Sequence, residues 1–440
     1  MPDRPRLDSW KAIAKYLDRD VRTVIRWEQR RALPVYRVPG GRLARVFAYP
    51  DELSRWLESS SAAEPAPEVI SVGSVDPGSP ISGDRTGDSD TALPRSRLWI
   101  GVAALVAIVV TAITAWTWMR ADEPPTRLTL AGRELRALDA SGQIRWAHQF
   151  DASEVSEAPW RWSHIANLTA DDRPDVVAAV EITPTTSNHH SGQVLSFAAD
   201  GTLRWSAVAG DRVAFRGGEY GAPWVAEDLT VYRANSQARL AWTVHHYTWW
   251  PSLLITMEPG GKRIGTYVNS GWMRGAVPSV DGRYLFVSGV TNSRQAHFFA
   301  VLDAANPSGH SPEPPGSPME CVRCPEGDPL YYFVLPRTDV SRQQPFPADG
   351  PTVKTFDDGA VQVHALHSGS PNIADTIYEF GPDFTVRGAR FSDSFWEWHR
   401  RLEHEGKIDH PADECPERRG LLVQSWSRAG GWKSLQVEGR

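Results

Sequence analysis

The spacing of hydrophobic positions changes several times along the chain, and each change predicts a different kind of element. Apolar residues recur at helical spacing over residues 10–17, and a second helix is predicted over 21–31. Residues 34–49 predict a two-stranded hairpin with a Pro-Gly-Gly tip, and a last short helix is predicted over 51–58. The first 58 residues therefore predict a small, α-rich domain.

The next two segments have contrasting compositions. Residues 59–97 contain no aromatic residue and are rich in Pro, Gly, Ser and Asp, which predicts a disordered linker. Residues 98–119 are 22 residues without a charge. At about 1.5 Å per residue, a helix of that length spans roughly 33 Å, the thickness of a hydrocarbon core. The sequence therefore predicts one transmembrane helix at this place.

From residue 125 onward short strands alternate with Gly or Asp turns. Two stretches align, with Gly142 and Trp146 of the first matching Gly201 and Trp205 of the second. Each unit predicts a hairpin whose glycine adopts a positive φ, followed by a tryptophan that fills the gap between sheets. Helical spacing returns only over 392–406, which predicts an amphipathic C-terminal helix.

Charge is divided unevenly between these parts. The 440 residues carry a net charge of −6, but residues 1–60 have 13 Lys and Arg against 8 Asp and Glu, a charge of +5. The remaining chain has 34 against 45, a charge of −11. A basic head on an acidic body indicates a polyanionic partner for the head. Three cysteines exclude a disulfide-dense scaffold.

The head carries a more specific pattern. The letters WKAIAKYLDRDVRTVIRWE, followed by LP, a Gly-Gly-Arg tip and YPDELSRWL, resemble the winged helix-turn-helix of MerR-like and excisionase-like regulators. The second helix projects basic residues outward, and the resemblance implies that they face the major groove while the hairpin arginines face phosphates. The predicted DNA-binding residues are Arg22, Thr23, Arg26, Arg30, Arg42 and Arg45. Double-stranded DNA is the predicted partner.

The body also resembles known repeats. Its two aligned hairpins are similar to the repeats of PQQ-type β-propellers, and the letters SVDGRYLF from Ser279 resemble a turn of TolB-like propellers. The resemblance implies a large, all-β, propeller-like domain over 125–440. A quinoprotein enzyme is disfavoured because the body is much shorter than the eight-bladed dehydrogenases, and no catalytic triad or phosphate loop stands out. The prediction is that the protein is not an enzyme.

One loop of the body resembles the calcium loops of FG-GAP or VCBS repeats. Its candidate ligands are Asn167, Thr169, Asp171 and Asp175, which offer the oxygen donors that calcium prefers. Only two of them are carboxylates, and Asp172 stands where glycine usually makes the turn. A metal-free turn is the favoured interpretation, calcium is the alternative, and no other cofactor is predicted.

The cysteines leave three interpretations open. Cys321 and Cys324 have C-x-x-C spacing, and Cys415 lies further along the chain. A structural disulfide from Cys415 to either of the others is favoured in an oxidising exterior. Zinc held with His404 or His410, and unpaired thiols, are the alternatives.

Each of two aromatic clusters has two interpretations. Trp160-Arg161-Trp162 and the stretch His245 to Trp250 are typical either of core between sheets or of stacking platforms for a sugar or another flat ligand.

These expectations combine into a multi-domain fold class. It consists of a winged helix-turn-helix (1–58), a linker (59–97), one transmembrane helix (98–119) and a β-propeller-like domain with a C-terminal helix (125–440). The layout resembles a membrane-anchored, one-component bacterial transcriptional regulator. The N-terminus is expected in the cytoplasm and the body outside the inner membrane, where it senses an unknown ligand or protein, and a homodimer is expected to strengthen DNA binding. An anchored scaffold or adhesion protein, and an envelope enzyme, are the rival hypotheses.

Overall fold

A computed structural model describes most of the body and a smaller part of the N-terminal region. The described residues are 7, 10–17, 24, 33–37, 46–50, 52–54, 123–169, 173–186, 189–248, 251–344, 350–367 and 373–439. The chain divides into two compact units, Met1–Arg95 and Ser96–Arg440.

The described part of the N-terminal unit is a short helix beside a two-stranded sheet. Helix α1 covers Trp10–Leu17, and the antiparallel strands are β1 (Tyr36–Arg37) and β2 (Val46–Phe47). A small apolar core joins them: Ile13, Ala14, Leu17, Val24, Leu33, Ala48 and Leu53. The Tyr16 hydroxyl lies 2.9 Å from Ser54 Oγ and donates to the Pro50 carbonyl. These contacts tie α1 to Pro50 and Ser54.

The second unit is built from strands. Its first half contains, in chain order, β3 (Arg127–Ala131), β4 (Glu134–Leu138), β5 (Ile144–Gln149), β6 (Glu154–Glu157), β7 (Ser163–Ala166), β8 (Asp175–Thr183), β9 (Ser191–Phe197), β10 (Leu203–Val208), β11 (Val213–Phe215), β12 (Gly218–Tyr220), β13 (Trp224–Ala234), β14 (Gln237–His246), β15 (Ser252–Met257) and β16 (Arg263–Asn269).

Its second half contains β17 (Met273–Pro278), β18 (Tyr284–Thr291), β19 (Ala296–Asp303), β20 (Gly309–His310), β21 (Cys321–Arg323), β22 (Tyr331–Leu335), helix α2 (Asp339–Arg342), β23 (Thr352–Thr355), β24 (Val361–His367), β25 (Ala374–Phe380), β26 (Val386–Phe391), helix α3 (Asp393–His404), a 3-10 turn (Pro416–Arg418), β27 (Leu421–Ser427) and β28 (Gly431–Val437).

These strands form six sheets, three of which include a strand from later in the chain. The strand orders are β3-β4-β5, β10-β9-β8-β6 with β7 also on β8, β12-β11-β21, β13-β14-β15-β16-β20, β17-β18-β19-β22-β27-β28 and β23-β24-β25-β26. Strand β19 is buried along nearly its whole length, whereas β24 alternates buried and half-buried positions. Continuous burial indicates a strand covered on both faces, and alternation indicates one covered face.

The predicted repeat is confirmed in its physical details. Gly142 and Gly201 have φ values of +86° and +89°. Trp146 Nε1 donates to the Ala199 carbonyl at 3.0 Å, so the indole of one sheet lies on the Gly201 turn of the next. Trp205 Nε1 makes the corresponding bond to the Pro259 carbonyl at 2.8 Å. Each tryptophan therefore joins its own sheet to a turn of another sheet.

The predicted C-terminal helix is present as α3. Ser392 is its N-cap and accepts a hydrogen bond from the backbone N–H of Phe395. Phe395, His399 and Leu402 are all buried, as the helical spacing predicts, together with Trp398.

The rest of the expected fold class needs correction. The described residues before position 60 do not form an α-rich, winged helix-turn-helix domain, because α1 is the one helix of more than one turn among them, beside a helical turn at 52–54, the β1–β2 pair and the Leu7–Ala48 bridge. The chain described by the structure is mostly β, since short strands recur throughout the body. The prediction of a helix-turn-helix head is therefore wrong as a statement about this structure.

The membrane prediction is corrected as well. Within the described ranges, no helix is long and apolar enough to cross a bilayer. Helix α3, at 12 residues, would extend about 18 Å against a hydrocarbon core of about 30 Å. Residues 98–119 themselves, like the linker 59–97, lie outside the described residues. The predicted inner-membrane location is set aside on this finding.

The propeller-like description of the body is also wrong. Among the described strands, the sheets have between three and six strands and none is closed. A propeller repeats a sheet of four strands in each blade. The sequence repeat covers only two hairpins, and two local turns do not determine the size or closure of the sheets that contain them.

The tryptophan–turn contact predicts unequal effects of two similar substitutions. A Cβ at Gly201 would lie 2.6 Å from Trp146 Cγ, whereas a Cβ at Gly142 would meet no atom within 4 Å. We expect Gly142→Ala to lower the free energy of unfolding by about 1 kcal/mol through backbone strain alone. Gly201→Ala should cost about 1–3 kcal/mol more, because the indole must move. Urea unfolding followed by circular dichroism measures both, and equal losses would contradict the contact.

Candidate functional site

Two β-bulges bring charged side chains to one place in the body. In the β13–β14 pair, Ala226 lies opposite Val244 and Asp228 opposite Thr243, so Glu227 has no partner across the sheet. In the β17–β18 pair, the register shifts in the same way at Arg274. A bulge redirects the extra residue's side chain, and bulges are common beside functional sites. We call the group formed by Trp160, Arg161, Glu227, Asp228, His245 and Arg274 the bulge cluster.

Glu227 binds both aromatic segments that the sequence singled out. Its Oε1 accepts a hydrogen bond from Trp160 Nε1 at 2.6 Å, and its Oε2 lies 3.3 Å from His245 Nε2. His245 Nδ1 lies 2.8 Å from the carbonyl oxygen of His246, which can only accept, so this nitrogen carries a proton.

Asp228 is fully buried and held by a bidentate arginine. Arg161 donates from Nε to Oδ1 at 2.8 Å and from an Nη atom to Oδ2 at 2.7 Å. The same guanidinium donates to the Ala276 carbonyl at 2.6 Å. Gly275 is required here, because a Cβ would lie 2.6 Å from Asp228 Oδ2. The pair thus joins the loop before β7 to β13 and β17, which belong to two different sheets.

The accessible part of the bulge cluster is aromatic and cationic. Trp160 is 42% exposed, and the Arg161 side chain is 42% exposed. The Arg274 guanidinium stacks 3.6 Å from the centre of the Trp160 ring and donates to the Gly350 carbonyl at 3.1 Å. Both carboxylates are buried beneath these groups. An indole beside two guanidinium groups can bind a planar, anionic ligand by stacking and by charge-assisted hydrogen bonds.

Sequence reasoning found only part of this cluster. It selected Trp160, Arg161 and His245 as members of aromatic segments, and the structure brings these segments together. It missed Glu227, Asp228 and Arg274, because a bulge has no signature in the alternation of a strand. Trp249 and Trp250 lie outside the described residues.

The predicted DNA-binding residues also lie outside the described residues: Arg22, Thr23, Arg26, Arg30, Arg42 and Arg45.

In the loop similar to calcium sites, the Asp175 carboxylate is already engaged. Its Oδ2 accepts hydrogen bonds from the backbone N–H groups of Leu168 and Thr169 and from the Thr169 hydroxyl, at 2.9–3.0 Å. Its Oδ1 pairs with Arg204 at 2.8 Å. Asn167 and Thr169 line an open cavity of about 750 Å³ beside them, and Asp171 lies outside the described residues. Asp175 therefore binds the backbone of its own loop, and Arg204 neutralises its charge.

The cysteines are arranged differently from the favoured interpretation. Cys321 and Cys324 form a disulfide with each other, and their Cα atoms are 6.0 Å apart. Cys415 is a buried free thiol. The expected bridge from Cys415 is therefore wrong, because its Sγ lies against Asp339 Oδ2, at 3.7 Å, rather than against another sulfur.

Cys415 and three neighbouring side chains bring four metal-donor atoms close together. The residues are Asp339, His399, His410 and Cys415, and one donor atom from each lies within 4.8 Å of all the others. His399 comes from the buried face of α3, Asp339 begins α2, and the other two lie in the loop after α3. Two of these four, His410 and Cys415, were named in the zinc alternative. The other two were missed, since 60 residues separate them along the chain.

Burial changes the acid–base properties of this donor set. It holds the pKa of His399 below its usual range and raises the pKa of the Cys415 thiol to about 11. Neighbouring Glu417 has a pKa raised to about 7, mainly by burial. Among the described residues neither ring nitrogen of His399 has a hydrogen-bond partner, although His399 is 0% exposed. Each unsatisfied buried group of this kind costs about 1–3 kcal/mol.

Comparison with known proteins adds little to this site. No protein-family model matches the chain, and no curated protein matches it. A crystal structure of a eukaryotic initiation factor has 10% identity and a TM-score of 0.27, covering 60% of this chain and 62% of its own. A crystal structure of an ACO/RPE65 chimera has 9% identity and a TM-score of 0.26, covering 60% and 66%. The chain thus spans less than two thirds of either structure, and likenesses this weak carry no argument about function.

The buried pair in the bulge cluster predicts a stability effect. Arg161→Ala leaves the Asp228 carboxylate buried without its cation, and we expect the free energy of unfolding to fall by about 2–3 kcal/mol. Arg161→Lys should lose less, because it keeps the charge but not the bidentate geometry. Urea unfolding followed by circular dichroism gives the values.

Arg283→Ala is the matched control for this comparison. Arg283 pairs with Asp281 on the surface of the same unit, so its removal should leave stability nearly unchanged. A loss from Arg161→Ala no larger than that of the control would show that Asp228 does not depend on the pair.

Proposed function

We propose that the protein is a DNA-binding transcriptional regulator whose β-rich unit binds a ligand. The observation that carries the proposal is the division into two compact units, with a basic head of charge +5 in the first 60 residues and an excess of acid in the remaining chain. Such a charge division supports a polyanionic partner for the head alone.

The arginines of the head supply the attraction to DNA. Arg22, Arg26 and Arg30 are spaced four residues apart, and Arg42 and Arg45 follow in the Gly-Arg segment. Cations that reach phosphates displace condensed counter-ions, which gives affinity independent of base sequence. Side chains that reach base edges add the discrimination that a regulator needs. Five such cations in one small unit support weak binding by one copy and stronger binding by two.

The bulge cluster is the ligand site in this proposal. It offers an exposed indole and two guanidinium groups, each held in place by a partner in another part of the unit. A site held this firmly loses little conformational entropy when a ligand binds. The ligand class that fits is planar and anionic, such as an aromatic carboxylate. The proposal assigns no catalytic step to the chain.

The salt dependence of DNA binding tests the proposal directly. The full chain should bind a double-stranded DNA fragment in a fluorescence-anisotropy titration, with log affinity falling linearly as log salt rises. The double variant Arg42→Ala, Arg45→Ala should lower the magnitude of that slope by about 2, since about 0.9 is lost for each phosphate contact. Binding should weaken on every DNA sequence tested.

Arg283→Ala again serves as the control, because it removes an arginine from the other unit. Its salt slope should equal that of the unaltered chain. Equal slopes for the control and the double variant, or no salt-dependent binding at all, would overturn the proposed function.

A further inference from the structure

We propose that Asp339, His399, His410 and Cys415 form a zinc-binding site, which we call the zinc cluster. The proposal is independent of DNA binding and of the bulge cluster. It is argued from four donor atoms that meet within 4.8 Å of one another although their residues come from two helices and a loop.

The His399 ring is the observation that points to a ligand. It is 0% exposed, and neither of its nitrogens has a hydrogen-bond partner among the residues that the structure describes. Its ring centre lies 5.3 Å from that of His410, so the two imidazoles face the same small volume. Buried polar atoms in folded proteins almost always have a partner, and here a metal ion would supply one.

His410 and Asp339 meet in a way that also favours a cation. His410 Nε2 lies 3.2 Å from Asp339 Oδ2 but does not form a hydrogen bond with proper geometry. Oδ1 of the same aspartate is paired with Arg342, so Oδ2 is the oxygen that points to the cluster. A carboxylate oxygen and an imidazole nitrogen this close together can both be ligands of one positive ion.

The distances fit a tetrahedral ion. Zinc lies about 2.0–2.3 Å from nitrogen, oxygen and sulfur ligands, which holds the ligand atoms roughly 3.3–3.8 Å apart. Asp339 Oδ2 already lies 3.2 Å from His410 Nε2 and 3.7 Å from Cys415 Sγ. All four donor atoms lie within 4.8 Å of one another. A bound zinc ion would therefore need to draw the most distant pair together by only about 1 Å.

The donor types select zinc among common metals. A thiolate disfavours magnesium and calcium, which take oxygen ligands, whereas thiolate, imidazole and carboxylate groups are all ligands that zinc accepts. The side chain of Asp409 lies 3.0 Å from His410 Nδ1 and would orient that ring, as carboxylates beside zinc-bound histidines commonly do.

Four protein ligands make this a closed, structural site rather than a catalytic one. The ion would join the start of α2, the buried face of α3 and the loop over 405–420. That loop has little regular structure of its own and leads directly into β27 and β28 at the end of the chain. Zinc would therefore stabilise the C-terminal strands by holding the segment before them.

Metal binding by the full chain is the first test. We expect the chelator-treated protein to take up one zinc ion, measured by elemental analysis after desalting, and its thermal midpoint to rise when zinc is restored. Cobalt(II) in place of zinc should give the intense visible bands of a tetrahedral site and a near-ultraviolet thiolate-to-cobalt band. Absence of both cobalt features in the unaltered chain would overturn the proposal without any substitution.

Variants then assign the ligands. Cys415→Ser should abolish the thiolate-to-cobalt band, and His399→Gln should weaken zinc binding at least about 100-fold. The matched controls are His364→Gln, whose ring binds Asp375 elsewhere in the body, and the double variant Cys321→Ser, Cys324→Ser. Both controls should keep the cobalt spectrum. A thiolate band that persists in Cys415→Ser would contradict this ligand set.

Discussion

The contact between Arg161 and Asp228 is the interaction on which the central part of the body depends. A fully buried carboxylate is unfavourable by several kcal/mol unless a cation and further donors satisfy it. Here the cation comes from the loop before β7, the carboxylate from β13, and Gly275 of β17 provides the room for them to meet. Because Arg161 lies in a loop and the other two participants belong to two different sheets, the pair can form only when these three parts of the chain are correctly placed.

The tryptophan–turn contacts also hold sheets in a fixed position relative to one another. Trp146 and Trp205 each donate an indole hydrogen bond to a turn of the next sheet. An indole buries a large apolar area and has one directional donor, so it fixes both the spacing and the register between neighbouring sheets. The sheets of the body are thus joined by a buried ion pair and by indole contacts at turns, in addition to the burial of apolar strands such as β19.

The sequence predicted local elements far better than their assembly. The positive φ at Gly142 and Gly201, the tryptophans between sheets and helix α3 depend on neighbours within a few residues, and all were found. The propeller-like arrangement, the disulfide from Cys415 and the α-rich head were wrong, because each depended on residues that are distant along the chain or on a resemblance. The bulges at Glu227 and Arg274 were missed for a related reason, since strand register is set by the partner strand.

The bulge cluster and the zinc cluster show two different solutions to the burial of ionisable groups. In the bulge cluster each carboxylate has a positive or donating partner, so the cluster is satisfied by the protein alone. In the zinc cluster a carboxylate oxygen, a thiol and two imidazoles face one another, and Arg342 neutralises only the outer oxygen of Asp339. A compact positive ion with four directional bonds would satisfy the donors of the second cluster. A zinc ion has both properties, whereas another arginine would be too large for donors that lie within 4.8 Å of one another.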